Sequence, residues 1–413
     1  PVEFVDSRIY SDPEIFEEEL EKIVHKSANF PAPLVTLKKQ EHVLELFHGP
    51  TLAFKDYAMQ ILGGLFDEAL QRRKKRTTIV GATSGDTGSA AIEACRNRGA
   101  IDIFILFPKG RVSNIQQRQM TTVDASNVHA IALEGTFDDC QDMVKSLFND
   151  LEYRDKHNLS AVNSINWARL LPQIIYYFWA ALALGAPNRK VSFSVPSGNF
   201  GNVFSAYAAK ALGLPIDNLI VATNTNDILS RFFNSGKMEI KQVRPSLSPS
   251  MDIQVSSNFE RLLFDLCERD GALTNEIIEN FRTNDYFDIE TELIAKRANI
   301  FSALSVDDET TLARIKKTHK DTGEIIDPHS AVGLEAAHQI RSSGLVSPEI
   351  PIISLACAHP AKFPDAVYRA TGSYPDLPVQ LDDLLEKKEY TVELPNDFDS
   401  VSNYIADLSL IHI

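Results

Sequence analysis

Two short loops of one plan constrain this chain more than any other feature. Residues 77–83 form a β-branched run that leads into Ser84-Gly85-Asp86-Thr87-Gly88 and then into the small-residue stretch 89–95. Residues 191–195 lead in the same way into Pro196-Ser197-Gly198-Asn199-Phe200-Gly201-Asn202 and then into 204–212. Each reads as a strand, a glycine turn and a helix. The alternation continues around them. Apolar residues 101–107 end at Pro108-Lys109-Gly110-Arg111, 128–133 read as a strand, 140–148 as a helix, and a long helix follows Asn166. Strands and helices alternating through short turns predict parallel sheets covered by helices. At 413 residues the chain has room for two or three cores. We expect two α/β domains with loops facing a common cleft: an N-terminal region, 1–185, that includes the smaller domain, and a larger C-terminal domain, 186–413. Two short matches fall short of an internal repeat.

Charge and cysteine content narrow the function. A net charge of -15 argues against a nucleic-acid surface, which needs clustered Lys and Arg. The one basic run, 72–76, follows a helix pattern and reads as a solvated cap at the negative end of the dipole. Cys95, Cys140, Cys267 and Cys357 are scattered without C-x-x-C spacing, which fits a reducing compartment rather than a disulfide framework or a zinc site. The N-terminal twenty residues are acidic and show no signal peptide, and residues 11–27 have a helical pattern. The chain opens at Pro1 rather than methionine, as processing or a missing N-terminal piece would leave it. The most apolar stretch, 170–184, is shorter than a membrane span, contains Pro172 and Gln173, and reads as a core helix. Residues 272–322 are polar and helical in pattern, and the last thirty residues look peripheral.

The chemistry-bearing run is His48-Gly49-Pro50-Thr51-Leu52-Ala53-Phe54-Lys55-Asp56. Apolar residues 43–47 before it read as a strand. Ala58, Ile61, Leu62, Leu65 and Ala69 after it recur at helical spacing. Lys55 therefore sits where a strand hands over to a helix, beside Phe54 and an acidic residue of the first turn. A partly desolvated amine in such a place is a nucleophile or Schiff-base former; an ordinary surface lysine beside a helix N-terminus is the reading this stretch favours by itself. The loop at 196–202 offers backbone N–H groups at the positive end of a helix, with Asn199 and Asn202 as further donors, and suits a phosphate. It matches neither a P-loop nor a G-x-G-x-x-G fingerprint, and a plain tight turn is the other reading. The 84–88 loop suits a carboxylate or a phosphate, or is a helix start capped by Ser84 or Thr87. His329 and His359 read as structural, and no spacing suggests a metal. One amine and two anion loops together are what pyridoxal 5'-phosphate requires: a Schiff-base lysine, a phosphate cradle and a site for the substrate carboxylate.

At these residues the sequence resembles the threonine synthase family, in the group that includes the bacterial and fungal enzymes. The matching runs are LFHGPTLAFKD (46–56), VGATSGDTGSAAI (80–92), FPKGRVS (107–113), QMTTV (119–123), VNSINWARLLPQ (162–173), VPSGNFGN (195–202), ATNTNDI (222–228), SNFERLL (257–263), DPHSAVG (327–333) and AHPAKF (358–363). The resemblance implies a fold-type-II pyridoxal-phosphate enzyme, with a smaller and a larger domain and the active site in the cleft between them. It makes Lys55 the Schiff-base lysine and places Ser84, Asp86, Ser197, Gly198, Asn199, Phe200, Gly201, Asn202 and Cys357 at the cofactor. Ser84 and Thr87 become substrate-carboxylate contacts, and Lys109, Arg111, Asn163, Ser164, Asn166 and Arg169 partners of the substrate phosphate. The implied reaction converts O-phospho-L-homoserine and water to L-threonine and phosphate, in a cytoplasmic enzyme that is a monomer or homodimer and engages neither nucleic acid nor membrane.

The match has three departures. The D-G-G-L run with which the family usually begins has no counterpart here. Cys357 stands where the family carries a threonine before AHPAKF, and Ser330 replaces the threonine of DPHTAVG. Relatives that cleave phosphohomoserine to a keto acid share most of these motifs, so release of 2-oxobutyrate is the alternative activity. A cofactor-free protein that binds phosphorylated metabolites is a third reading.

Overall fold

The computed structural model describes residues 29–162, 166–290 and 299–409, with Val24, Ser27 and Ile294. The helix expected over 11–27 falls almost wholly outside them. The chain divides into two compact units, one built on Gly49–Ala168 with the chain from Leu377 onward, the other on Pro31–His48 with Arg169–Asp376. The expected single break at 185/186 differs from this division. The early strands of the chain pair inside the second unit's sheet, and its last strand and helix pack in the first.

The first unit holds a five-stranded, all-parallel sheet in the spatial order Val392–Leu394, Val128–Leu133, Ile101–Pro108, Thr77–Ala82, Leu159–Ser160. Its central strand, Ile101–Pro108, is buried at every position because helices cover both faces. Ile103, Ile105 and Phe107 point to one side, where they meet Met59 and Leu62 of the helix Lys55–Arg73 and Ala91 of the helix Asp86–Cys95. Phe104 and Leu106 point to the other, against Cys140 and Leu147 of the helix Phe137–Asn149 and Val401 and Ile405 of the helix Phe398–Leu408. The period of two along the strand thus sorts its side chains between two cores. The last thirty residues are therefore not peripheral, since Val401 and Ile405 are fully buried.

The second unit holds a six-stranded sheet in the order Leu34–Lys38, Glu41–Glu45, Ile352–Ala356, Val191–Pro196, Ile216–Thr223, Phe301–Ser305, parallel except for the first pair. The strand expected at 43–47 begins and ends two residues earlier. The helix Pro328–Ser342 packs on the sheet so closely that a Cβ on Gly333 would lie 2.9 Å from Pro196. Two expectations fail here. The strand Phe301–Ser305 lies inside a stretch that reads as helical, because its five residues, FSALS, are too few and too irregular to show a period of two. The helix Trp167–Ala183 is not wholly core: Leu171, Ile175, Trp179 and Leu182 are exposed, while Leu170, Tyr177 and Ala181 on the opposite side are fully buried. Among the described residues no helix is long and apolar enough to cross a membrane.

Candidate active site

Lys55 opens its helix, with Phe54 in the N-cap position and no side-chain cap there. The turn before it is closed by Asp56, which is fully buried. The Asp56 carboxylate accepts the Thr51 backbone N–H at 2.9 Å and the Thr51 hydroxyl at 2.6 Å. A Cβ on Gly49 would lie 2.5 Å from that of Asp56, which is why this position takes glycine. The acidic residue of the first turn therefore fixes the loop that presents the lysine, in addition to favouring the helix N-terminus. The Lys55 amine faces Asp86, with Nζ 3.8 Å from Oδ2 and side-chain exposures of 13% and 4%.

Asp86 begins the helix that follows the first glycine loop. Neither Ser84 nor Thr87 caps that helix. The Thr83 hydroxyl does the work instead, accepting the N–H groups of Gly85 at 3.0 Å and Gly88 at 2.8 Å. Ser84 and Thr87 are half-buried. Two buried glutamines from the helix Asn114–Thr121 brace this region. Gln116 Nε2 donates to Asp86 Oδ1 at 2.8 Å, and Gln119 Nε2 donates to the Thr51 carbonyl at 3.0 Å. Sequence reading missed both, although their spacing of three residues in QQRQM places them on one helix face.

The candidate phosphate contacts differ in environment. Lys109 is half-exposed and pairs with Glu393 at 2.6 Å, a contact that raises its amine pKa. Arg111 is exposed two residues on. Asn166 accepts the Ala168 N–H at 3.0 Å at the start of its helix, while Asn163 and Ser164 lie outside the described residues. Arg169 is 4% exposed, and burial lowers its guanidinium pKa to about 10.

In the second unit the loop 197–200 joins the strand Val191–Pro196 to the helix Gly201–Ala211. Two of its carbonyls are tied down. The carbonyl of Gly198 accepts the Ser256 hydroxyl at 2.8 Å, and that of Asn199 accepts the Asn258 backbone N–H at 3.1 Å. Phe200 takes the left-handed conformation, φ 61°, which costs a non-glycine residue about 1 kcal/mol or more. Its ring is fully buried against Phe233, Phe259 and Phe301, and that packing offsets the strain. A Cβ on Gly198 would come within 3.2 Å of Ile253 and of the Met251 backbone.

Asn202 decides whether this loop fits the phosphate of pyridoxal phosphate. It is 5% exposed. Its side-chain oxygen lies 2.5 Å from the Tyr176 hydroxyl and 2.7 Å from that of Tyr177. Its Nδ2 is buried with no hydrogen-bond partner among the described residues. An unsatisfied buried donor costs about 1–3 kcal/mol, and an anion bound at the helix N-terminus would satisfy it. The residues present fit the group.

Cys357 lies 6% exposed just past the strand Ile352–Ala356. Its backbone N–H donates to the Ser330 hydroxyl at 3.2 Å, and Ser330 in turn donates to the buried Asp327 carboxylate. Asp327 also holds Nδ1 of His329 at 2.8 Å, and His329 Nε2 accepts the Ser250 N–H at 3.3 Å. His359 caps the turn Pro360–Lys362 by accepting the Ala361 N–H. Both histidines thus have structural partners.

Comparison with known proteins agrees with this chemistry. The family described as pyridoxal-phosphate dependent enzyme matches residues 26–282, and that described as threonine synthase, C-terminal, matches 330–405. The chain is 51% identical to threonine synthase of Pseudomonas aeruginosa over 376 residues, 91% of this chain and 79% of that protein. The crystal structure of pyridoxal-phosphate-bound threonine synthase from Brucella melitensis superposes with a TM-score of 0.92 at 50% identity, covering 97% of this chain and 86% of that one. Threonine synthase-like 2 of Xenopus laevis is 37% identical over 89% of this chain and 77% of that protein.

Proposed function

The chain belongs to the threonine synthase family, and from that premise we propose that Lys55 is its Schiff-base lysine and residues 197–202 the cradle of its cofactor phosphate. It is a pyridoxal-phosphate-dependent lyase of threonine biosynthesis, converting O-phospho-L-homoserine and water to L-threonine and phosphate. The 2-oxobutyrate-releasing alternative is not favoured, because the higher identities are to threonine synthases. The cofactor-free reading is set aside by the pyridoxal-phosphate family match over 26–282.

Bound pyridoxal phosphate supplies an aldehyde that captures amines and a ring that delocalises the electron pair left when a substrate carbon loses a proton. The chain's own residues do the rest. Gly198, Gly201 and Asn202 would bind the phosphate through backbone donors and the Asn202 amide, with Ser197, Asn199 and Phe200 shaping the turn. Ser84 and Thr87 would receive the substrate carboxylate. Lys55, held by Asp86, would take the proton from substrate Cα and exchange protons at Cβ. Phosphate leaves from Cγ with the C–O electrons, Cγ takes up a proton to become the methyl group, and water adds its hydroxyl at Cβ as its proton returns to the pool. Lys109, Arg111, Asn163, Ser164, Asn166 and Arg169 are the proposed partners of the departing phosphate. A neutral contact from Cys357 would meet the ring nitrogen.

The observation that carries the lysine assignment is the shielded amine 3.8 Å from a buried carboxylate. Reduction of the cofactor-loaded protein with borohydride, followed by peptide mapping, tests it. The pyridoxyl group belongs on Lys55, and recovery on any other lysine overturns the assignment. We further propose a cytoplasmic enzyme acting as a monomer or homodimer; four cysteines scattered and buried support a reducing compartment.

A further inference from the structure

The helix Asn114–Thr121 touches both loops around Lys55 and follows directly on the Lys109–Arg111 turn, yet none of its residues has a part in the reaction as described. Ser113 caps it, accepting the Gln116 N–H at 3.3 Å. The Ser113 hydroxyl lies 3.0 Å from Gln116 Oε1, and its proton fixes the amide so that Nε2 turns to Asp86. Gln116 is 1% exposed, and its amide lies so close to Gly85 that a Cβ there would fall 2.5 Å away. The Gly85 φ of 140° excludes a side chain independently. Glycine at 85 thus makes room for this one amide. With Oδ1 of Asp86 engaged by Gln116, Oδ2 is the oxygen presented to the lysine.

We infer that Gln116 is a positioning residue for Lys55, acting through Asp86: the chain Ser113–Gln116–Asp86–Lys55 sets where the amine sits and how much negative charge it faces. A neutral amide donor disperses part of the carboxylate's charge without competing for the lysine, as a cation in its place would. Among the described residues, Asp56 lies on the lysine's own helix, and on the Asp86 helix Glu93, which feels the Asp56 charge, pairs with Arg96 at 2.9 Å. Arg118, the charged residue of the glutamine-bearing helix, is directed to the Leu384 and Lys387 carbonyls and to Glu389. The link to the substrate is the chain itself, since Ser113 follows Arg111 by two residues. The inference rests on the Schiff-base assignment of Lys55.

The test uses the holoenzyme and reads its visible absorbance against pH, together with kcat and KM for O-phospho-L-homoserine, in Gln116→Leu and Gln116→Glu. Gln116→Leu removes the donor and leaves more charge on the oxygen facing Lys55. The absorbance titration midpoint then rises by about half a pH unit or more. In the same variant kcat falls about tenfold, while KM stays within about twofold. Gln116→Glu keeps the shape but donates to Asp86 only when protonated, so its activity recovers as the pH falls. A wild-type midpoint and wild-type kcat in Gln116→Leu overturn the inference. Should that variant lose the fold, Gln116→Glu decides: a wild-type midpoint with a wild-type pH profile is equally fatal. Lys55→Ala in parallel separates this from the underlying reading, because a Schiff-base band that persists without Lys55 refutes the lysine assignment itself.

Discussion

The hydroxyl of Ser330 accepts the backbone N–H of Cys357 at 3.2 Å. By the resemblance these are two positions where the chain departs from its family, one inside DPHSAVG and one just before AHPAKF, and they are in direct contact. Ser330 keeps the hydroxyl that both Asp327 and Cys357 use and gives up only a methyl group. At 357 a hydroxyl is exchanged for a larger, weaker hydrogen-bonder. The Cys357 thiol donates to the Leu355 carbonyl over 3.8 Å, a long contact of the kind a weak sulfur donor makes.

Cys357→Thr is therefore expected to retain or modestly raise turnover, and Cys357→Ser to behave similarly. Cys357→Asp places a charge in a site built for a neutral group and should cut kcat by about tenfold or more. The visible spectrum of the bound cofactor reports the same ordering. An alanine at 357 that leaves both spectrum and turnover unchanged would show that the thiol serves only as packing.

Asn202→Ala removes the buried donor and should weaken pyridoxal-phosphate retention by about 1–3 kcal/mol. Gly198→Val should be worse, since its first side-chain carbon already meets Ile253 and Met251 at 3.2 Å. Equilibrium dialysis against free cofactor measures both. Wild-type retention in the two variants would reduce the loop to a turn.

The loop at 196–202 is legible as a strand-to-helix turn because its glycines stand between the short run 191–195 and the small-residue run 204–212. What reads poorly is support supplied from a distance. Tyr176 and Tyr177, which hold the Asn202 amide, lie on a helix that announces itself only as apolar. Thr83 caps the first loop although Ser84 and Thr87 are the nearer candidates by pattern, because the strand's last turn aims its hydroxyl at two N–H groups. The strand Val392–Leu394 has three residues and owes its place to pairing with Val128–Leu133, a long-range fact with no local signal.

Neutralising Arg111, as Arg111→Gln, should raise KM for O-phospho-L-homoserine by about ten- to a hundredfold, the range of one charge-assisted contact. Binding of threonine, which lacks the phosphate, should change far less. Isothermal titration with both ligands distinguishes them, and equal losses would indicate damage to the fold. Lys109→Gln should have the smaller effect of the two, since its amine is already paired with Glu393.

Burial holds the His359 ring neutral, its pKa pushed down from 6.5 to about 4, with the neighbouring His48 acting in the same direction. A base whose folded pKa is depressed contributes stability that is complete above its unfolded value. That contribution is lost as pH falls from about 6.5 toward about 4, because the unfolded chain binds the proton first. His129 adds a second loss of the same sign, burial having lowered it to about 4 as well. His359→Gln should therefore flatten the dependence of Tm on pH in that window. An unchanged slope by calorimetry would mean the ring is accessible.

The most direct test of the whole account is the product. The purified, pyridoxal-phosphate-loaded protein is incubated with O-phospho-L-homoserine, and L-threonine, 2-oxobutyrate and phosphate are quantified. Equimolar L-threonine and phosphate, abolished in Lys55→Ala, is the predicted result. Phosphate released together with 2-oxobutyrate in place of threonine would contradict it.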